Sequence, residues 1–169
     1  AWLLNVRGND TEFSPIPHSY ILISKNKKIK FFCNLNKISS SVRRSLRNIE
    51  FVQIQKTFTF LSDINDKKFI IDKNTCSVFF EDIVSKNNKI INFQDPIYNL
   101  KAIKSKKEIA NTKLAHIRDG AALTKYLFWI KNNFDKKRIT EISASNKLFE
   151  LRKKNKNFKS LSFPTISGS

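Results

Sequence analysis

The residues able to do chemistry in this sequence are few and scattered. It has two histidines, His18 and His116, whereas a catalytic or structural metal needs three or four ligands converging on one point. His18 follows Pro17 at the start of an apolar run and reads as a surface-loop residue. His116 sits in Leu114-Ala115-His116-Ile117-Arg118-Asp119. Asp119 lies one helical turn on, which predicts a packed histidine paired with a neighbouring carboxylate rather than a metal ligand. Glu81 and Asp82 are adjacent, so on a helix they diverge and make a poor two-carboxylate acid–base site. Cys33 and Cys76 lack a second Cys or His at ligand spacing. They read as small buried hydrophobes, one on a strand and one on a helix, in a reducing cytoplasm. Gly8 and Gly168 are isolated, with no phosphate-cradling spacing. Ser167-Gly168-Ser169 has neither the elbow pattern nor the base that a nucleophilic serine requires. No catalytic constellation is complete.

Composition narrows the class. The 169 residues, 40% hydrophobic and 27% charged, fit one full globular domain plus part of another. Runs such as Tyr126-Leu127-Phe128-Trp129-Ile130 are far too short to cross a bilayer, so no membrane partner is expected. The start, Ala1-Trp2-Leu3-Leu4-Asn5-Val6-Arg7, is not a signal peptide, and the absence of Met predicts an excised segment of a longer protein. The net charge of +18 invites a nucleic-acid reading, since Lys and Arg displace phosphate counterions. Its layout opposes that reading. Lysines are spread with Asn and Ile along the whole chain, as in Lys86-Asn87-Asn88-Lys89, and aromatic residues fall at core-like positions rather than between basic clusters. Solvated surface lysines, and no nucleic-acid partner, are the expectation.

The elements that must position any site alternate in type. Residues 2–6 read as a buried strand, followed by a polar turn and a Pro-punctuated loop through Pro15 and Pro17. Residues 18–24 and 29–34 form a hairpin by their spacing. Residues 39–48 have apolar Val42, Leu46 and Ile49 at helical intervals. Then come a strand at 50–55, a short helix at 57–65, a strand at 67–72, a helix at 75–85 burying Val78, Phe79 and Ile83, and a strand at 89–93. After Pro96 the pattern lengthens. Ser105 and Glu108 have capping-box spacing ahead of a helix to about residue 133. That helix carries one apolar stripe of Ala110, Leu114, Ile117, Ala121 and Phe128, and a second of Leu123, Leu127, Ile130 and Phe134. Two stripes predict burial on more than one side. Thr140 begins another helix, carrying Ile142, Leu148, Phe149 and Leu151 to a basic end that suits the helix dipole. Residues 161–166 read as a strand.

Three stretches in this order resemble aminopeptidase P, the X-Pro aminopeptidase of the pita-bread metallopeptidase family, in its three-domain cytosolic type. Ala1-Trp2-Leu3-Leu4-Asn5-Val6-Arg7-Gly8-Asn9-Asp10 is similar to the phrase that opens that family's middle domain. Leu100-Lys101-Ala102-Ile103-Lys104, Glu108 and Ala115-His116-Ile117-Arg118-Asp119-Gly120 resemble the linker and first helix of its catalytic domain. Ile139-Thr140-Glu141-Ile142-Ser143-Ala144, followed by Leu161-Ser162-Phe163-Pro164-Thr165-Ile166-Ser167-Gly168-Ser169, resembles the next helix and first strand. Residues 25–95 match only in pattern.

The resemblance implies a mixed α/β fold. Residues 1–95 would form a creatinase N-terminal-like middle domain, 96–104 a linker and 105–169 the truncated start of a pita-bread domain. It implies that the parent hydrolyses the bond after an N-terminal residue preceding proline, on peptides with proline second. Two divalent metals, manganese or zinc, would be held by two Asp, one His and two Glu. No position here matches one of those ligands, so the segment alone is expected to bind no metal and to be inactive. Arg7, Asp10, Phe163, Pro164, Thr165 and Ser167 are expected beside the active site, in a cytoplasmic and homodimeric parent. Two alternatives stand: a non-catalytic pita-bread relative that binds peptides or histones, and a basic nucleic-acid-binding module.

Overall fold

The computed structural model describes residues 1–136 and 138–168. Contacts divide the chain into two units, Ala1–Ala102 and Ile103–Ser169, each taken by itself below.

The first unit is built around one strand. Strand β1 (Tyr20–Ile23) runs antiparallel to β2 (Ile29–Cys33), and β2 pairs in parallel with β3 (Ile49–Gln53), giving the order β1-β2-β3. The β1–β2 connection is a tight hairpin. Ser24 N–H donates to the Lys28 carbonyl at 3.0 Å, Lys27 N–H donates to the Ser24 carbonyl at 2.8 Å, and Lys27 takes φ +63°, the left-handed position of a three-residue hairpin loop. Asn26 Oδ1 accepts from Ser24 Oγ at 2.6 Å, closing the turn from within. Between β2 and β3 lies α1 (Ser40–Ser45), started by Ser39, whose hydroxyl accepts from Val42 N–H. A 3-10 turn, Leu35–Lys37, precedes it.

Successive residues on a strand face opposite ways, so the burial of both Phe31 and Phe32, each 1% exposed, means that β2 is covered on both faces. On one, Phe31 stacks edge-on against its register partner Phe51, 5.9 Å between centroids, and Arg43 of α1 lies over Phe51. On the other, Phe32 meets Phe60 of α2 (Thr57–Ser62) at 5.5 Å. Thr57 is buried, and its hydroxyl donates to the Ile54 carbonyl at 2.6 Å, so no polar atom there is stranded.

A second, two-stranded parallel sheet joins β4 (Lys68–Ile71) to β5 (Lys89–Asn92) through α3 (Val78–Ser85). Asn88 staples this unit: its Nδ2 donates to the Ile64 and Val84 carbonyls, and its Oδ1 accepts from Lys67 N–H. Helix α4 (Pro96–Ala102) falls within the stretch expected to link two domains. Asp95 starts it by accepting from Ile97 N–H at 2.9 Å, and Pro96 suits a first helical position because it has no N–H to satisfy.

The second unit pairs α5 (Lys106–Asn133) with α6 (Glu141–Lys153). Both open on a reciprocal cap: Ser105 with Glu108, as their spacing predicts, and Thr140, expected as an N-cap, with Ser143. Arg152 grips Asp119 through Nε at 2.7 Å and Nη2 at 3.0 Å, and Asn155 Nδ2 donates to the Arg118 carbonyl. Lys147 lies over the Trp129 ring. Ala122, Ala144 and Leu148 are buried.

Several expectations are corrected. Residues 2–6 are a turn, not a strand: Asn5 takes φ +50°, and Asn5 and Val6 N–H return to the Trp2 and Ala1 carbonyls, so the backbone groups a strand would offer sideways are used locally. Residues 161–166 form no strand; Pro164 removes a ladder donor, and among the described residues of the second unit there is no strand to pair with. Val78 and Phe79 are exposed, and Val84 is the buried residue of α3. Cys76 lies in the turn ahead of α3 and is half-buried, whereas Cys33 is buried. Leu127 and Phe128 on α5 and Phe134 just beyond its end are 57%, 70% and 72% exposed, because α6 covers only one side of the helix. His116 is exposed, and its expected partner Asp119 is held by Arg152 instead.

Phe32→Ala is expected to cost about 3–5 kcal/mol in urea unfolding, the range for deleting a buried aromatic side chain. Ile70→Ala, at a site 67% exposed on β4, is expected to change stability by no more than about 0.5 kcal/mol.

Candidate functional site

Among the residues singled out by sequence, Asp10 has the most built environment. Its side chain is 11% exposed. Oδ2 accepts from the His18 backbone N–H at 2.9 Å, and Oδ1 is paired with the Lys37 ammonium. One carboxylate thus ties the far end of the Pro-rich loop and the 3-10 turn after β2 to the segment before the loop. These bonds favour the ionised form: the Lys37 hydrogen bond first, then the His18 N–H, hold the carboxyl below its ordinary value, against a small opposing effect of desolvation. Gly8 supplies the second fastening. Its N–H donates to the Pro15 carbonyl at 3.3 Å, and a Cβ built on it would lie 2.8 Å from Pro17 Cα and 2.9 Å from Pro17 N. Only glycine lets the two backbones approach this closely. Within the loop, Thr11 and Ser14 make an isolated antiparallel bridge and Phe13 takes φ +61°. The His18 ring Nε2 stands 3.4 Å from Thr11 Oγ1.

Beside this clamp is an open groove of about 410 Å³ lined by Asn9, Asp10, His18, Asn34, Lys37 and Ile54. Lys37, Asn34 and Ile54 carried no signal in the sequence, being 24 or more positions from Asp10. His18 read only as a loop residue, and only the parallel β2–β3 pairing and the turn after β2 bring these groups together.

The remaining candidates are less elaborated. Arg7 is exposed and donates through Nη1 to the Val6 carbonyl at 2.9 Å. Phe163, 64% exposed, and Pro164 lie open, while Thr165 and Ser167 are half-buried; all four belong to the second unit. Ser169, the end of the resembling phrase, lies outside the described residues. Among the described residues no group of three or more His, Cys, Asp or Glu could hold a metal, so the side chains at hand do not fit a dinuclear centre. Glu81 is engaged with Lys73 at 2.5 Å, and Asp82 is exposed. Burial pushes the Cys33 thiol up, against the pull of Arg43, and burial with Glu81 and Asp72 does the same at Cys76, so neither is poised as a thiolate.

A mixed α/β unit with βαβ crossovers and a clamped entry loop, followed by a helical pair, defines the class. Residues 1–108 match the family model of the creatinase/prolidase N-terminal domain, and the chain belongs to that family. Over 190 positions it is 35% identical to a probable Xaa-Pro aminopeptidase P of Paracoccidioides brasiliensis, covering 100% of this chain and 30% of the relative. It is 36% identical to Xaa-Pro aminopeptidase 1 of Dictyostelium discoideum, covering 99% of this chain and 27% of the relative. In fold it matches the X-prolyl aminopeptidase of Caenorhabditis elegans, described as a cytosolic enzyme with a di-nuclear active site. The TM-score is 0.85 at 24% identity, over 99% of this chain and 28% of that one. The chain therefore spans less than a third of the length of these relatives.

Asp10 titrates below its ordinary value of about 3.9. Its folded form binds a proton less readily than its unfolded form, so its contribution to stability is full above that value and is lost as pH falls through the folded value. An NMR titration of the Asp10 carboxyl should show a midpoint below that of an unperturbed aspartate, and Asp10→Asn should weaken the acid dependence of unfolding. Gly8→Ala should lower the melting temperature and speed hydrogen exchange at His18 N–H, because Pro17 backbone must move to admit the methyl group; unchanged exchange would contradict the clamp.

Proposed function

We propose that this chain is a scaffold segment of a dinuclear-metal X-Pro aminopeptidase, an enzyme that hydrolyses the bond between an N-terminal residue and a following proline. The observation that carries this is the extent of the similarity: relatives bearing that name align with 99–100% of the chain, across both of its units. In this reading residues 1–95 form the middle domain, 96–104 the linker and 105–169 the opening of the catalytic domain. Peptides with proline second are the substrates, the parent is a cytoplasmic homodimer, and the metals are manganese or zinc. No membrane partner is proposed; among the described residues no helix is long and apolar enough to cross a bilayer.

The chemistry would be supplied by metals that activate water and polarise the scissile carbonyl, held by parts of a protein of the relatives' length rather than by side chains present here. The contribution of this chain is shape. Asp10 and Gly8 hold the loop of residues 11–18 in one conformation, and Arg7 stands exposed beside it. Arg7 and Asp10, and separately Phe163, Pro164, Thr165 and Ser167, are proposed to lie beside the active site of the longer protein. A loop fixed by a shared carboxylate and a backbone contact loses little entropy when substrate meets it, and such a loop suits a cleft wall.

Hydrolysis of an X-Pro tripeptide with added manganese, measured for this chain and for the full reading frame that contains it, tests the reading. Activity only in the longer protein is the expected outcome. Activity in neither points to a non-catalytic peptide- or histone-binding relative, and activity in this chain alone would place the chemistry among residues assigned here to scaffold.

A further inference from the structure

The groove beside the Asp10 clamp has a chemistry of its own. Its two charges are spent on each other, because the Lys37 ammonium pairs with Asp10, whose second oxygen takes the His18 N–H. A free anion entering the groove meets the Asp10 carboxylate, and a free cation meets Lys37. What remains for a ligand is neutral and amide-like. Asn9 is exposed, and among the described residues its carboxamide makes no hydrogen bond. Asn34 spends its Oδ1 on the Asn36 N–H at 3.0 Å, leaving its Nδ2 as a donor. The His18 ring adds a nitrogen, and Ile54 an apolar patch. Donors and acceptors side by side, with no net charge, complement a polypeptide backbone, which alternates the same two groups.

We propose that this groove binds an extended peptide segment through its backbone amides, with the Asn9 and Asn34 carboxamides as the principal partners. At about 410 Å³ it lies within the range of small-ligand clefts, roughly 300–1,000 Å³. Its openness to solvent suits a peptide that continues beyond it rather than an enclosed small molecule. The clamp keeps the walls in place, since Asp10, His18 and Lys37 are at once lining residues and the fastening of the loop. The proposal concerns binding by the first unit and stands whether or not the longer protein hydrolyses X-Pro bonds.

The test is titration of the isotope-labelled 169-residue chain with acetyl-tetraalanine amide, a capped peptide with no charge. Saturable NMR shift changes at Asn9, His18, Asn34, Lys37 and Ile54, with a Kd of about millimolar, are expected for a few solvent-competed hydrogen bonds. Asn34→Asp keeps the oxygen that caps Asn36 while removing the Nδ2 donor, and Asn9→Ala removes a side chain that supports nothing else. Each should weaken binding about 3-fold or more, and the two together about 10-fold. Should Asn34→Asp fail to fold, Asn9→Ala carries the comparison. No saturation, shifts confined to other residues, unchanged affinity in the variants, or an equal response to acetate alone would each overturn the proposal.

Discussion

Everything in the first unit depends on β2 being covered on both faces. A strand with Phe31 and Phe32 in succession cannot lie on the surface of a sheet, because whichever way it turns one ring faces water. The chain meets this constraint by laying α1 on one face and α2 on the other. That requires β2 to be central, and the order β1-β2-β3 follows. The parallel β2–β3 pairing then demands a crossover, so the backbone must leave the end of β2 through Asn34 and the Leu35–Lys37 turn. The position of Lys37, and with it the partner available to Asp10, is a consequence of where two phenylalanines are buried.

The two units solve the same problem to different degrees. In the first, Asn88 and Thr57 show that polar groups near the core are satisfied, and the aromatic rings interlock. In the second, a pair of capped helices buries Ala122, Ala144 and Leu148 but leaves Ile117, Phe128 and Ile142 open. Helix formation there rests on local terms, two reciprocal caps that helix-forming sequence can supply without a large core, while the Arg152–Asp119 pair ties one helix to the other. A single two-helix interface covers only one side of α5, so an apolar stripe on its other side stays uncovered whatever its periodicity.

The clamp around Asp10 links architecture to chemistry. A carboxylate that accepts a backbone N–H and pairs with an ammonium is fully occupied, so it is better suited to holding a loop than to moving a proton. Gly8 complements it from the other side by the absence of a side chain. Together they explain why a short phrase containing Arg7, Gly8, Asn9 and Asp10 is distinctive without containing a catalytic group: it specifies the closure of a loop.

The sequence by itself determined the local features. The hairpin at residues 24–28, the caps at Ser105 and Thr140, the alternation of strands and helices and the mixed α/β class could all be read from it, because turns and caps are set by residues three or four apart. The family resemblance was legible too, in phrases that survive as linear strings. What only the tertiary structure decided is whatever depends on distant partners. Residues 2–6 and 161–166 have strand-like composition, yet a strand exists only when another backbone takes up its hydrogen bonds, and Asn5 turns the first of them back on itself. Asp119 took Arg152 rather than its helical neighbour His116, because a bidentate guanidinium is the stronger partner. The groove of Asn9, His18, Asn34 and Lys37 had no sequence signature, since its members meet only after β2 has been buried.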